Sequence, residues 1–217
     1  MTDFENAAPP TFTPSELVVL FGEKFAEEGG MLAAKEEALV SRMKVSAEKL
    51  AHAVLAASLL ANEQIGAVRL EHRKGKAMFG LMNTEKLHVV LGDYEAAWPE
   101  GTLEATVALL AHGGPTIAEL FQSAIGSESH NPGQQVCAMV KAGLAGRDLM
   151  DVAERKMLGM ITVPHFVLRG EVRRMAMAES PEPVQAMLRK AEKERPQVWE
   201  QMIKEIRAAM TWMTKSD

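Results

Sequence analysis

Arg69, His72, Arg73, Lys74 and Lys76 crowd into residues 69–76 of a chain whose 24 Lys and Arg are outnumbered by 29 Asp and Glu. Positive charge at that density can hold an anion, either a nucleic-acid phosphate or a lipid headgroup, through attraction that salt screens. A solvated turn with ordinary charged residues is the plainer alternative. No aromatic residue interleaves the cluster, which argues against single-stranded nucleic acid, where bases stack on rings. Arg173 and Arg174 form a second basic pair further along. The candidate anion- or lipid-binding residues are therefore Arg69, Arg73, Lys74, Lys76, Arg173 and Arg174.

Catalytic chemistry finds less support. His112-Gly113-Gly114 has the look of an oxyanion loop, but no G-x-S-x-G nucleophile elbow accompanies it. A helix stop explains it better. Cys137 and His130 could pair as thiol and imidazole only if the fold brings them together, and a buried structural thiol is the simpler expectation. His52, His72, His88, His112, His130 and His165 show no metal-ligand spacing, and neither a P-loop nor a G-x-G-x-x-G occurs. The residues point to no catalytic group, no metal and no cofactor.

The basic cluster needs elements to position it. Between Leu50 and Asn62, ten of thirteen residues are apolar, interrupted only by His52, Ser58 and Asn62. That is too apolar all round for a surface helix and predicts a central helix covered on most sides. Ser46 suits its N-cap and Gly66 its left-handed C′ position. The run is shorter than the roughly 20 residues a membrane span requires. After Gly66 the period becomes two, with Val68, Leu70 and His72 alternating, a turn at Lys74-Gly75, and Ala77, Phe79 and Leu81 on a second strand. Asn83-Thr84 breaks the pattern before a third short strand through Leu87, Val89 and Leu91. Helix, glycine, strand, basic turn and strand together outline a winged helix.

Thr13-Pro14 starts a first helix. Leu32, Leu39, Val40 and Met43 suggest an amphipathic helix, with Lys35, Glu36 and Glu37 solvated. Thr102 and Thr116 cap two more, and 144–160 reads as helix running into Gly159. A strand over 163–168 follows, with Pro164 confining it to an edge, and then a turn at Arg169-Gly170. Setting Gly159 against Gly66 suggests an internal repeat. A polar helix from Pro181 stops before Pro196, and Val198, Trp199, Met202, Ile203, Ile206, Met210 and Met213 make a clean helical stripe. The expected fold is mainly α, a central apolar helix with surrounding helices and winged-helix-like β-hairpins. Residues 1–12 read as a mobile arm, 13–214 as one mostly helical domain with two winged-helix-like units (about 46–92 and 147–175), and 215–217 as a tail.

Hydrophobic content of 47% and charged content of 24% are ordinary for a globular protein. A single cysteine excludes an intrachain disulfide framework, and the start MTDFENAAPP lacks an apolar secretory segment. A cytoplasmic setting is expected.

Several stretches together resemble the Golgi phosphoprotein 3 family and its bacterial relatives. They are TPSELVVLF (13–21), LLANEQIGAVRLE (59–71), SESHNP (127–132) and DLMDVAERKMLGMI (148–161). The resemblance implies a helical, non-enzymatic adaptor associated peripherally with membranes. Family members bind a phosphoinositide headgroup with one Trp and several Arg residues. Counting from Gly66 and Gly159, those positions hold Ser46, Leu55, Ala145 and Asp148, with Arg147 one step away, so the family's pocket residues are absent. The leading expectation is a cytoplasmic adaptor that meets an anionic membrane, a phospholipid headgroup or a protein partner. The alternative is a winged-helix DNA-binding regulator, against which the central helix offers almost no side chain able to read base edges.

Overall fold

The computed structural model describes residues 11–30, 33–77, 82–126, 131–157 and 161–213. Along them run α1 (Pro14–Leu20), β1 (Lys35–Glu37), β2 (Lys44–Ser46), α2 (Ala47–Gln64), β3 (Val68–Ala77), β4 (Met82–Leu91), α3 (Leu103–Leu110) and α4 (Ile117–Ile125). Then come α5 (Pro132–Gly146), β5 (Met150–Met157), β6 (Ile161–Leu168), α6 (Gly170–Ala178), α7 (Glu182–Glu194) and α8 (Pro196–Met213). The fold is mainly α. Among the described residues its strands form three antiparallel two-stranded ribbons of sequence neighbours, and His88 of β4 makes an isolated bridge to Thr116.

The centre is α2, as the apolar run predicts. The Ser46 hydroxyl accepts from the Lys49 N–H at 3.4 Å, and Gly66 follows the C-cap Ile65 with φ +77°. A Cβ there would be strained, so glycine ends the helix and starts the ribbon. Leu50, Ala51, Val54, Leu55 and Leu59 are wholly buried. Two of the three polar interruptions, Ser58 and Asn62, are satisfied rather than exposed. Ser58 donates to the Leu55 carbonyl, and the Asn62 amide donates to the carbonyls of Ser58 and Glu104 at 2.9 and 3.0 Å. Around α2 pack chiefly α5 and α1, then α3, α7 and α8. The small residues of α2 let these neighbours approach closely.

Two of the ribbons are long, and the first of these, β3–β4, corrects the expected turn. Lys74 and Gly75 lie inside β3, opposite Glu85 and Thr84, and Asn83 and Thr84 belong to β4. Two ten-residue strands replace the three short ones, and Phe79 and Leu81 lie outside the described residues. A glycine between lysines resembles a turn locally, but it is tolerated within a ladder when the flanking residues pair. The ribbon's root is tight. Gly92 donates to the Ala67 carbonyl at 2.8 Å, and a Cβ on Gly92 would stand 1.8 Å from the Gly66 carbonyl oxygen.

The second ribbon corrects two more expectations. Met150–Met157 is strand, not the end of a helix, since α5 stops at Gly146. Asp148, at φ +60°, takes the place that Gly66 has after α2. The repeat is therefore helix, left-handed residue and ribbon, with Asp148 rather than Gly159 matching Gly66. Gly159 lies outside the described residues. Pro164 sits in β6 opposite Glu154, tolerated because a two-stranded ribbon has only edges. The expected turn at Arg169-Gly170 is instead the start of α6, with Arg169 at its N-cap.

The amphipathic helix expected through Leu32, Leu39, Val40 and Met43 is not found among the described residues, Leu32 lying outside them. Lys35–Glu37 and Lys44–Ser46 pair as β1 and β2, with Arg42 left-handed in the turn between them. Leu39 is buried but Met43 is exposed, so their helical spacing marks no common face. The stripe on α8 does hold, with Met202, Ile206 and Met210 buried. No helix among the described residues is long and apolar enough to cross a membrane.

Candidate functional site: a basic β-ribbon

Strand alternation divides the basic cluster. Arg69, Glu71 and Arg73 share one face of β3, while Leu70, His72 and Lys74 share the other. The register places Val90, His88 and Lys86 opposite the first set, and Val89, Leu87 and Glu85 opposite the second. Near the root the second face is core, with Val68, Leu87 and Val89 buried. Further out, His72, Arg73, Lys74, Glu85 and Lys86 are all exposed. Lys76 stands opposite Asn83 in the backbone register.

The positive groups are unequally committed. Arg69 pairs with Asp93 at 3.0 Å and Arg73 with Glu71 at 2.9 Å. Both pairs are exposed, so solvent weakens them and they can exchange partners. Arg73 also faces Lys86 directly across the ribbon. Like charges at directly opposed sheet positions are destabilising. Lys86 escaped the sequence reading because the apolar alternation through Leu87, Val89 and Leu91 says nothing of the opposite face until the register is known.

The root of β4 is held firmly. Its outward edge donates from the Leu87 N–H to the Glu205 carboxylate and from the Val89 N–H to the Pro115 carbonyl, both at 2.8 Å. The Gln201 amide donates to the Glu85 carbonyl at 3.1 Å, and the His88 Nδ1–H donates to the Gly114 carbonyl at 2.8 Å. Helix α8 and the turn before α4 thus anchor one edge and leave the outer part of the ribbon to present its charges.

The α6 pair has a different setting. Arg173 donates to the Leu39 carbonyl at 2.9 Å, binding α6 to the β1–β2 turn, and Arg174 is exposed. Among the described residues, no hydrogen bond or ion pair joins α6 to the ribbon. The six sequence candidates therefore divide into a ribbon group and a helix group.

Between the N-termini of α2 and α5 and the later part of α8 lies a cavity of about 380 Å³, lined by Ser46, Glu48, His52, Pro132 and Arg207 among others. His52 Nε2 is buried there without a partner. Burial holds the imidazole below its ordinary pKa, Glu48 opposes that shift, and Arg207 adds to it. Of the positions that the resemblance would make headgroup ligands, Ser46 caps α2, Leu55 is core, Ala145 lies in α5, and Asp148 is exposed 3.8 Å from Arg169, while the adjacent Arg147 is paired with Glu16. None of those positions supplies a cation.

The catalytic candidates fare no better. Cys137 is buried, and burial pushes its thiol far above the ordinary range, Glu36 adding to the effect and Lys141 opposing it. Such a thiol supplies almost no thiolate. His112 is exposed in a single turn that ends α3, and His130 lies outside the described residues. No group of three or more His, Cys, Asp or Glu among the described residues could hold a metal ion.

Comparison with protein-family models, curated proteins and solved structures finds no match to this chain.

Proposed function

We propose that this protein is a non-enzymatic cytoplasmic adaptor that associates peripherally with an anionic membrane and meets it with the β3–β4 ribbon. The carrying observation is the Arg73–Lys86 pair, two exposed cations held face to face on a ribbon anchored at its root. Opposed like charges are unfavourable in a sheet, Glu71 offsets only the Arg73 side of the pair, and a layer of phosphate headgroups would offset both. Lys74 adds charge on the other face, so the ribbon presents cations in more than one orientation. The stretches that resemble the Golgi phosphoprotein 3 family support a membrane setting. The missing Trp and Arg ligands favour attraction to net negative charge over recognition of one phosphoinositide.

The DNA-regulator reading treats the same ribbon as a wing. Its recognition helix would be α2, whose side chains are covered by α1, α3, α5, α7 and α8. A major-groove reader must expose polar side chains to base edges, and along Leu50 to Ala61 α2 offers almost none, His52 being half-buried.

The two readings separate in one assay. Wild-type protein should bind vesicles more tightly as anionic lipid increases and more weakly as salt rises. Each cation near the surface contributes about 1 kcal/mol, so Arg73→Glu with Lys74→Glu should lower binding by well over tenfold. A pool of random duplexes should yield no preferred sequence. Enrichment of one duplex that this double variant abolishes would establish the regulator instead. Wild-type protein that binds neither surface would reduce the ribbon to a solvated hairpin.

A further inference from the structure

Two carboxylates are buried where the start of α1 meets α3 and the end of α5. Glu104, in the first turn of α3, is 0% exposed, and Glu16 in α1 is 1% exposed. Glu104 Oε1 accepts from the Ser15 N–H at 2.7 Å and its Oε2 from the Ser15 hydroxyl at 2.9 Å, with the Thr13 hydroxyl 3.3 Å from that of Ser15. Glu16 accepts from the Thr13 N–H at 2.9 Å and pairs with the Arg147 guanidinium. Arg147 is the C-cap of α5, immediately before the left-handed Asp148 that leads into β5. On the other side, Asn62 donates to the Glu104 carbonyl, accepts from the Trp98 indole N–H at 2.9 Å, and offers its own carbonyl to the Ala67 N–H ahead of β3. Helix α1 thus begins between the end of α2 and the end of α5.

The charges at this junction do not balance. From α1 come Thr13, Ser15 and Glu16, from α2 the neutral Asn62, and from α5 only Arg147, which Glu16 takes. Of the other groups near α3, Glu119 is bonded to Thr116, Glu63 is paired with Arg195, and His112 is exposed. Glu104 has no ion-pair partner among the described residues. An ionised carboxylate in that position is disfavoured, whereas a neutral carboxyl can donate to the Ser15 hydroxyl while its other oxygen still accepts the Ser15 N–H.

We propose that this junction is a proton-operated latch, in which Glu104 docks α1 as the neutral acid and loss of its proton loosens α1 from α3 and the end of α5. The inference does not depend on the membrane reading. Burial, the largest influence, raises the Glu104 pKa above its ordinary value of 4.5, opposed by the hydrogen bonds from Ser15 and Thr13. Glu16 is shifted the same way, by burial first, against Thr13 and Arg147. A raised native value stabilises the fold fully below the unfolded chain's value, and that contribution is lost as pH rises through the native pKa.

The test is a carboxyl NMR titration of Glu104 in the unmodified protein, together with hydrogen exchange of the α1 amides from pH 5 to pH 8. Glu104 should titrate well above its ordinary value. After correction for intrinsic base catalysis, α1 exchange should rise about tenfold or more across the same step, and Glu104→Gln should remove that rise. Titration of Glu104 near its ordinary value would overturn the latch. So would corrected α1 exchange that ignores pH, or that rises equally in the variant. The titration is read on the unmodified chain, so it decides the matter even if Glu104→Gln fails to fold.

Discussion

Gly92→Ala should be among the most damaging single substitutions in this protein, costing about 3 kcal/mol or more, as severe overpacking does. The added Cβ would lie 1.8 Å from the Gly66 carbonyl oxygen and 2.7 Å from its carbon, both backbone atoms that no rotamer change can move aside. Relief would require opening the Gly92 to Ala67 and Tyr94 to Gly66 hydrogen bonds that close the root of the first ribbon. The loss should concentrate in β3 and β4, with α5 and the second ribbon much less affected. Urea titration followed by residue-resolved NMR measures both parts. A variant as stable as the wild type would mean that the root is looser than this packing requires.

Leu59→Ala should cost about 2–5 kcal/mol, since it empties a wholly buried leucine site in the helix that most others pack against. For a chain of this size that corresponds to a melting temperature lower by roughly 5–15 °C. Leu109→Ala is the control. Leu109 is an exposed leucine on α3, and its truncation should change stability by no more than about 0.5 kcal/mol. Similar losses at both sites would contradict the central place of α2.

What the sequence showed and what it hid follow from where each element's stability lies. Helix α2 was legible because its signals are local. Ser46 and Gly66 mark its ends, and its apolar residues are too dense for a surface helix. The α8 stripe was legible for the same reason, its repeat being written in one segment. The ribbons were not. Met150–Met157 carries Ala, Glu, Arg, Lys and Met, which favour helix in isolation, but pairing with β6 outweighs that preference. Gly75 looks like a turn until ten residues of β3 are seen paired to β4. At the candidate site the basic residues themselves were legible. Their division between two faces, and the role of Lys86, required the register. The Glu104 junction left no local trace, because its parts come from α1, α2, α3 and α5.

The proposed contact of the ribbon with an anionic membrane can be tested residue by residue. Backbone amide spectra recorded while anionic vesicles are added should show perturbation and loss of signal concentrated at His72, Arg73, Lys74, Glu85 and Lys86. Neutral vesicles should leave those signals unchanged, and added salt should restore them. Perturbation centred instead on His52 and Arg207 at the α2–α5 cavity, or on Arg173 and Arg174 of α6, with the ribbon silent, would contradict the assignment of the anionic surface to β3 and β4.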